Sequence, residues 1–416
     1  MVDVTGTAAG GDAIGRLADG RVVFVEGALA GERVVVEFVQ QRKDFARGRV
    51  QSVEVASPDR VVPPCPRVGD GCGGCQWQHS TIDAQRRAKR DVVVDALRRI
   101  GRIPDADSRV TSGPRMPDAR YRTTIRVGVD STGRAGFRGR SSHDLVVLDG
   151  QECLTAHPRL ARLAADGRFP GARELLMRTS VATGETVVMV LEGELDRQRC
   201  RLANVGPVQL VDLDDLGVLH EVVAGHRFRV SATSFFQVSP VGAEALVALV
   251  GEAATAGIDA RSFTLLDLYS GVGLFGATVG ARFGRVVAVE SHEPAVEDAW
   301  INLAATTAAQ DVVAADVTHW DPHSRLAEGE RAVVIADPAR TGLGRAGVHT
   351  VEAAHPDRIV LVSCDPASLG RDCALLVEAG YEWRATTMVD LFPHTFHIEA
   401  VSRFDRRSAV VTSPAR

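Results

Sequence analysis

The stretch Thr264-Leu265-Leu266-Asp267-Leu268-Tyr269-Ser270-Gly271-Val272-Gly273-Leu274-Phe275-Gly276 decides the fold. Its first five residues form a short, non-alternating, mostly apolar run, the pattern of a parallel strand covered on both faces. The glycines just beyond it let the backbone approach a ligand at the carboxyl edge of a sheet. Three further apolar runs follow, at 285–289, 332–336 and 358–362. Helix-like stretches at 294–305 and 368–379 lie between or after them. From about Phe263 onward the chain therefore reads as a doubly wound α/β sheet.

The ends of these strands carry the candidate chemistry. The second strand ends in Val289-Glu290, where a carboxylate can accept bonds from both hydroxyls of a ribose, so a nucleoside-bearing cofactor is implied. Gly271, Gly273 and Gly276 also satisfy the dinucleotide pattern G-x-G-x-x-G, which is weak by itself. Asp267 tilts the choice, because a carboxylate there repels a pyrophosphate but suits the sulfonium of S-adenosylmethionine. Asp316, after the third strand, is a candidate for the adenine edge, with a surface cap equally open. The fourth strand runs into Asp337-Pro338-Ala339-Arg340-Thr341-Gly342 and the fifth into Ser363-Cys364-Asp365-Pro366, at the same edge as the glycine loop. Cys364 sits in a turn beside a helix start, an arrangement that favours a thiolate. In Asp390-Leu391-Phe392-Pro393-His394-Thr395-Phe396-His397-Ile398-Glu399, the final glutamate is the candidate base.

Upstream the character changes twice. Runs at 21–25, 33–38 and 47–50, separated by Asp19-Gly20 and the Gly27–Gly31 turn, read as closely spaced strands of a small barrel of the oligonucleotide-binding kind. Next come Cys65, Cys72 and Cys75, a helix-like stretch from Ile82 to Ile100, and a return to strands, as at 121–129 and 186–191. The expected domains are thus a barrel over 1–57, a central mixed α+β domain with the cysteine cluster over 58–224, and a Rossmann-like catalytic domain over 225–416. The helix, taken as 80–101, is expected to be able to pack on the catalytic domain.

Composition narrows the function classes. With 45% hydrophobic and 24% charged residues the chain is of ordinary globular make-up. Residues 1–11 lack the basic and apolar regions of a signal peptide, and no apolar stretch is long enough to span a bilayer, so a cytoplasmic, membrane-free monomer is expected. The net charge of -5 hides a division: residues 61–150 hold 16 basic and 10 acidic groups, the remaining chain the acidic excess. Seven arginines (Arg115, Arg120, Arg122, Arg126, Arg134, Arg138, Arg140) face only Asp118 and Asp130 within that stretch, a candidate phosphate-binding footprint whose bland counterpart is a solvated surface. Seven cysteines, an odd number, speak against a disulfide framework.

Residues 10–38, GGDAIGRLADGRVVFVEGALAGERVVVEF, resemble a TRAM domain, a small RNA-binding barrel. LLDLYSGVGLFG, DPAR-TG, SCDPASLGRD and DLFPHTFHIE, in that order, resemble the RNA (uracil-5-)-methyltransferase family. That resemblance implies Cys364 as nucleophile, Glu399 as proton acceptor, Gln237 of Ser234-Phe235-Phe236-Gln237-Val238 as a cofactor ligand, and Tyr269, Glu290 and Asp337 as further lining of the S-adenosylmethionine pocket. It also implies that Cys65, Cys72, Cys75 and Cys153 hold a [4Fe-4S] cluster, for which four thiolates are the usual requirement. Zinc, or no metal at all, stays open on spacing.

The implied chemistry explains the residue types. Carbon 5 of uracil is too weak a nucleophile to attack a methyl sulfonium, but addition of a thiolate at carbon 6 makes it an enolate carbon. A base must then remove the carbon-5 proton so that the sulfur can leave. The target base must come out of any stack, which favours loop RNA. Ribosomal RNA (23S) is the first expected substrate, the tRNA position-54 uridine the second. Two rivals are an RNA-binding protein with a vestigial domain and a methyltransferase for an exocyclic amine. The chain departs from the family pattern at Asp365, where asparagine is usual, at Ala339, where a second proline is, and at Phe396, where glycine is common. Asp365, as a carboxylate beside the thiol, is expected to raise its pKa.

Overall fold

The structure is a computed structural model that describes residues 1–140, 142, 144–150, 153–215, 217–306 and 309–407; residues 408–416 of the expected catalytic domain lie outside them. Two compact units are present, each assembled from separated chain segments. The first takes residues 1–92, 114–243 and 390–398; the second takes 93–113, 244–389 and the chain from 399 onward. Helix α1 (Ile82–Arg99) contributes residues to both.

The first unit opens with a closed barrel of β1 (Val2–Thr7), β2 (Ala13–Arg16), β3 (Val22–Glu26), β4 (Arg33–Gln41) and β5 (Phe45–Val55). Alternation turns Val2, Val4, Ala13, Val23, Val25, Val34 and Ala46 inward, and this small core is the reason so short a stretch can close on itself. The reading from sequence found three of the five strands. It missed β1 and β2, whose apolar content is low because glycine and alanine serve where strands cross closely.

The rest of this unit is a six-stranded sheet, ordered β12-β11-β10-β7-β8-β9, from β7 (Thr124–Val129), β8 (Ala135–Arg138), β9 (Leu145–Val147), β10 (Ala172–Thr179), β11 (Thr186–Gly193) and β12 (Gln209–Val211). Helix α3 (Pro158–Asp166) covers it with Leu160, Leu163 and Ala164 against Leu175, Met177 and Phe169. A hairpin of β13 (Val218–Val223) and β14 (His226–Ser231) follows.

Segment 390–398 is held in this unit by polar bonds to α1. Gln85 donates to the carbonyls of Trp77 and Ser80 and accepts from the His394 N–H at 2.7 Å. Lys89, with no exposed side-chain area, donates to Asp390 Oδ1 at 2.5 Å and to the Phe392 carbonyl at 3.0 Å. A buried ammonium persists only with such partners. These residues form a loop, and the strand begins at Glu399.

The second unit is built on an eight-stranded sheet, ordered β17-β16-β15-β18-β19-β21-β20-β6. Its strands are β6 (Val110–Ser112), β15 (Thr264–Leu268), β16 (Arg285–Glu290), β17 (Ala309–Ala314), β18 (Ala332–Ala336), β19 (Arg358–Ser363), β20 (Tyr381–Val389) and β21 (Glu399–Arg406). Strands β15, β18 and β19 are buried throughout. That accounts for their unbroken apolar runs. The helices of the unit are α2 (Ala106–Arg109), most of α4 (Pro240–Thr255), α5 (Leu274–Thr278), α6 (Glu293–Ala304), α7 (Gly344–Ala353) and α8 (Pro366–Glu378).

Strand order reverses between β15 and β18, so the loops that leave them diverge and open a crevice at the carboxyl edge. Strand β21 runs antiparallel to β19 and re-enters the sheet at that same edge. Sequence periodicity gives no hint of this last pairing, which depends on a neighbour dozens of residues away.

Candidate functional site

Register brings Cys364 and Glu399 together. Ser363 pairs with Ala400 and Val362 with Val401, so the next position along each strand end sets Cys364 across from Glu399. Cys364 is half-buried, whereas Glu399 is only 4% exposed. Asp337 follows β18, and Tyr269 follows β15, after the last pair of those strands, Leu268 with Ala336. Tyr269 takes a left-handed backbone at φ 59, unusual for a residue with a side chain, and turns the loop over the crevice. Burial, with Asp316 and Asp372 nearby, pushes its phenol up to about 12.

The glycine loop is closed by carboxylates. Asp267, 1% exposed, accepts the Gly276 N–H at 2.7 Å through one oxygen. Glu290 accepts from Gly271 N at 2.9 Å and from Ser291 and His292 N, each at 2.8 Å. A carboxylate offers about four lone-pair sites, so Glu290 can still take a hydroxyl. Gly273 caps α5 at φ 83, and a β-carbon there would lie 2.3 Å from Leu303, so a larger residue would close the loop differently. Asp316 is exposed and accepts from Thr318 N at 2.8 Å, the surface cap that the sequence left open beside the adenine reading.

The acids of the crevice are strongly perturbed. Burial pushes Asp267 up to about 8, with Asp337 and Glu290 adding to the rise. Burial pushes Asp337 up to about 7. Glu399 is raised well above the usual carboxylate range by burial and by Asp337. The Cys364 thiol is pushed up to about 12 by burial, Glu399 and Asp337, while Arg340 pulls it down. The expected effect of a nearby helix start is thus outweighed, and the resting thiol is protonated. Asp365 is not among the leading causes of that rise. Its carboxylate caps α8 by accepting Ser368 N at 2.8 Å, a role asparagine fills equally well.

Four buried side-chain oxygens here lack a hydrogen-bond partner: Asp267 Oδ1, Ser270 Oγ, Ser363 Oγ and Glu399 Oε1. Such groups are costly unless a ligand satisfies them. Their concentration at one sheet edge, together with a surplus of carboxylates, fits a polar ligand that carries positive charge. Sequence reasoning singled out neither serine nor Arg340, although each lies in a quoted motif. Gln237 is buried and belongs to the first unit, with the neighbouring Val238 carbonyl accepting from Thr123 N.

In the first unit, Cys65, Cys72, Cys75 and Cys153, all free thiols, line one cavity of ≈ 220 Å³ with Arg67, Arg122 and Arg126. Among the described residues no set of three or more His, Cys, Asp or Glu side chains is gathered as a single-ion site. A tetrahedral zinc ion would draw its thiolates to about 3.8 Å from one another, given a Zn–S distance of about 2.3 Å. The arginine run itself is less available than its sequence suggests: Arg115, Arg126, Arg134 and Arg140 form ion pairs with Asp83, Glu174, Asp130 and Glu26.

Residues 1–51 match the TRAM domain family. A Streptomyces avermitilis protein named as an uncharacterized RNA methyltransferase is 32% identical over 96% of each chain. The 23S rRNA (uracil(1939)-C(5))-methyltransferase of Halomonas elongata is 35% identical over 96% of this chain and 88% of its own. Among solved structures, the Pyrococcus abyssi tRNA (uracil-54, C5)-methyltransferase in complex with S-adenosyl-L-homocysteine shares the fold, with a TM-score of 0.71 at 23% identity over 97% of this chain and 100% of that one. No helix among the described residues is long and apolar enough to cross a membrane.

The crowding of acids around the thiol can be read directly. Alkylation of Cys364 by iodoacetamide, followed by mass spectrometry across pH, should stay slow at pH 7 and rise only in strongly alkaline solution. Glu399→Gln removes one of the charges that oppose the thiolate and should shift the profile to lower pH; an unshifted profile would show that Glu399 does not face the sulfur.

Proposed function

The chain belongs to the RNA (uracil-5-)-methyltransferase family, and from that premise we propose that it transfers a methyl group from S-adenosylmethionine to carbon 5 of a uridine in RNA, with 23S ribosomal RNA as the substrate. The observation that carries this reading is the register that sets Cys364 across from Glu399 beside Asp337, at the edge where four buried oxygens lack partners. The target follows the Halomonas elongata relative, which is similar along most of both chains. Asp267, Tyr269, Glu290 and Asp337 would hold the cofactor at the crevice, and Gln237 and Asp316 are the remaining ligands proposed for it. S-adenosylmethionine supplies the methyl group and, in its sulfonium, a positive charge to set against the crevice's surplus of carboxylates.

The residues then divide the work. Cys364 first gives up its proton to solvent, and the resulting thiolate adds its sulfur to carbon 6 of an extruded uracil while the electron pair of the 5,6 double bond moves onto carbon 5 and the adjoining carbonyl. Once carbon 5 carries the methyl group, Glu399, ionised while a cation is bound in the crevice, takes the proton from that carbon. The double bond re-forms and the carbon–sulfur bond breaks, which returns the sulfur of Cys364. Removal of a positioned base commonly costs about 10²–10⁴ in rate. An RNA-binding protein with a disused catalytic domain would have no need to keep these groups in register.

RNA bearing 5-fluorouridine at the target should become covalently joined to the wild-type protein, because fluorine cannot leave as a proton does, and Cys364→Ala should abolish the complex. Glu399→Gln should accumulate the same linkage on ordinary RNA. Methyl transfer that survives Cys364→Ala would instead favour methylation of an exocyclic amine. A substrate found in tRNA would leave the chemistry standing and move the target.

The four cysteines that share the first unit's cavity support a [4Fe-4S] cluster bound by Cys65, Cys72, Cys75 and Cys153. Protein purified without oxygen should then contain about four iron atoms and four sulfides per chain. One zinc, or no metal, would overturn the assignment.

A further inference from the structure

The loop that follows β18 is gripped by two adjacent residues of α8. Asp372, whose side chain has no exposed area, accepts the Leu343 N–H at 2.7 Å and the Gly344 N–H at 3.1 Å. Arg371 donates to Asp372 Oδ1 at 2.9 and 2.7 Å and to the Thr341 carbonyl at 2.5 Å. Three peptide groups of one short loop are therefore fixed by a dipeptide on a neighbouring helix. Gly342 makes the approach feasible: at φ +69, a β-carbon on it would lie 2.2 Å from Asp372 Oδ2 and 2.7 Å from Arg371 Nη2.

Part of this grip is ordinary capping. Helix α7 begins at Gly344, and Leu343, at its N-cap, has no side chain to satisfy the first N–H groups. Asp372 supplies the missing acceptor from another helix. Capping alone, however, does not require the additional bond from Arg371 to Thr341, which ties down the residue next to Arg340.

That bond matters because of what Arg340 faces. Among the described residues, the charged groups that act most on Cys364 are Glu399 at the start of β21 and Asp337 and Arg340 in the loop after β18, of which Arg340 is the cation. The helix that carries Arg371 and Asp372 starts immediately after Cys364, with Asp365 as its cap. Nucleophile, α8 and the Arg340 loop are thus bonded into one piece. We propose that Arg371 and Asp372 are positioning residues, which hold Arg340 toward Cys364 so that its charge favours the reactive sulfur. This rests on the reading of Cys364 as the nucleophile.

The test measures iodoacetamide alkylation of Cys364 across pH, without RNA, in the full chain. Arg340→Ala should lower the rate at pH 8 roughly threefold, equivalent to an upward move of about 0.5 in the midpoint of the profile. Asp372→Asn should lower it to a similar degree, and the double variant should be no slower than Arg340→Ala alone, because both changes remove the same interaction. Should Asp372→Asn fold poorly, Arg371→Ala, at a partly exposed position, serves in its place. Wild-type alkylation in both Asp372→Asn and Arg371→Ala, or losses that add in full to that of Arg340→Ala, would reduce the pair to a helix cap. Methyl transfer to RNA by the wild-type protein is a separate measurement: its absence would overturn the enzymatic reading, whereas an unchanged alkylation profile would overturn the positioning role alone.

Discussion

Like charges crowd a thiol at the edge of a parallel sheet, and most of the functional architecture depends on that constraint. Asp267, Asp337 and Glu399 would repel one another if all were ionised, and none has a lysine or arginine ion-pair partner among the described residues. Burial then keeps protons on acids that would otherwise be charged at neutral pH. The same surroundings keep Cys364 protonated, so the resting protein holds a guarded nucleophile rather than a free thiolate. A cation admitted to the crevice lowers the cost of ionising each group at once, which would tie the reactivity of the sulfur to the presence of the methyl donor.

Topology makes this crowding possible. The reversal of strand order between β15 and β18 opens the crevice, and β21, running antiparallel, delivers Glu399 to the end of β19 where Cys364 stands. A further parallel strand would have placed its first residue at the opposite edge. The residues that steady this arrangement are mostly backbone acceptors. Asp365 caps α8, Asp372 holds the loop after β18, and Glu290 and Asp267 close the glycine loop. Carboxylates in this unit thus fix peptide groups, while one oxygen each of Asp267 and Glu399 is buried without a hydrogen-bond partner among the described residues.

Much of the fold was legible in the sequence because buried parallel strands write themselves as apolar runs. Thr264–Leu268 and Ala332–Ala336 coincide with their observed strands, and α8 starts two residues before the expected stretch and ends one residue before it. What sequence alone obscured were features set by distant partners. The 390–398 segment is tied as a loop to Gln85 and Lys89, far upstream, and β1 and β2 lack the apolar content that would announce them. Asp365 looked like a threat to the thiolate and is a helix cap. Asp372 closes a quoted motif, yet its part emerges only when the loop it grips is seen. The arginine run read as a phosphate footprint is largely paired within the protein, since a count of charges cannot show which are already neutralised.

The central claim is that the crevice is completed electrostatically by a sulfonium, and calorimetry tests it most directly. Binding of S-adenosylmethionine and of S-adenosylhomocysteine should be followed at pH 6, 7 and 8 in buffers of different ionisation enthalpy. Because burial holds protons on Asp337 and Asp267, raised to about 7 and about 8, a bound cation should expel protons, and its affinity should therefore rise with pH over this window. The uncharged thioether should release fewer and show a flatter dependence. Equal proton release and the same pH dependence for both ligands would contradict the account.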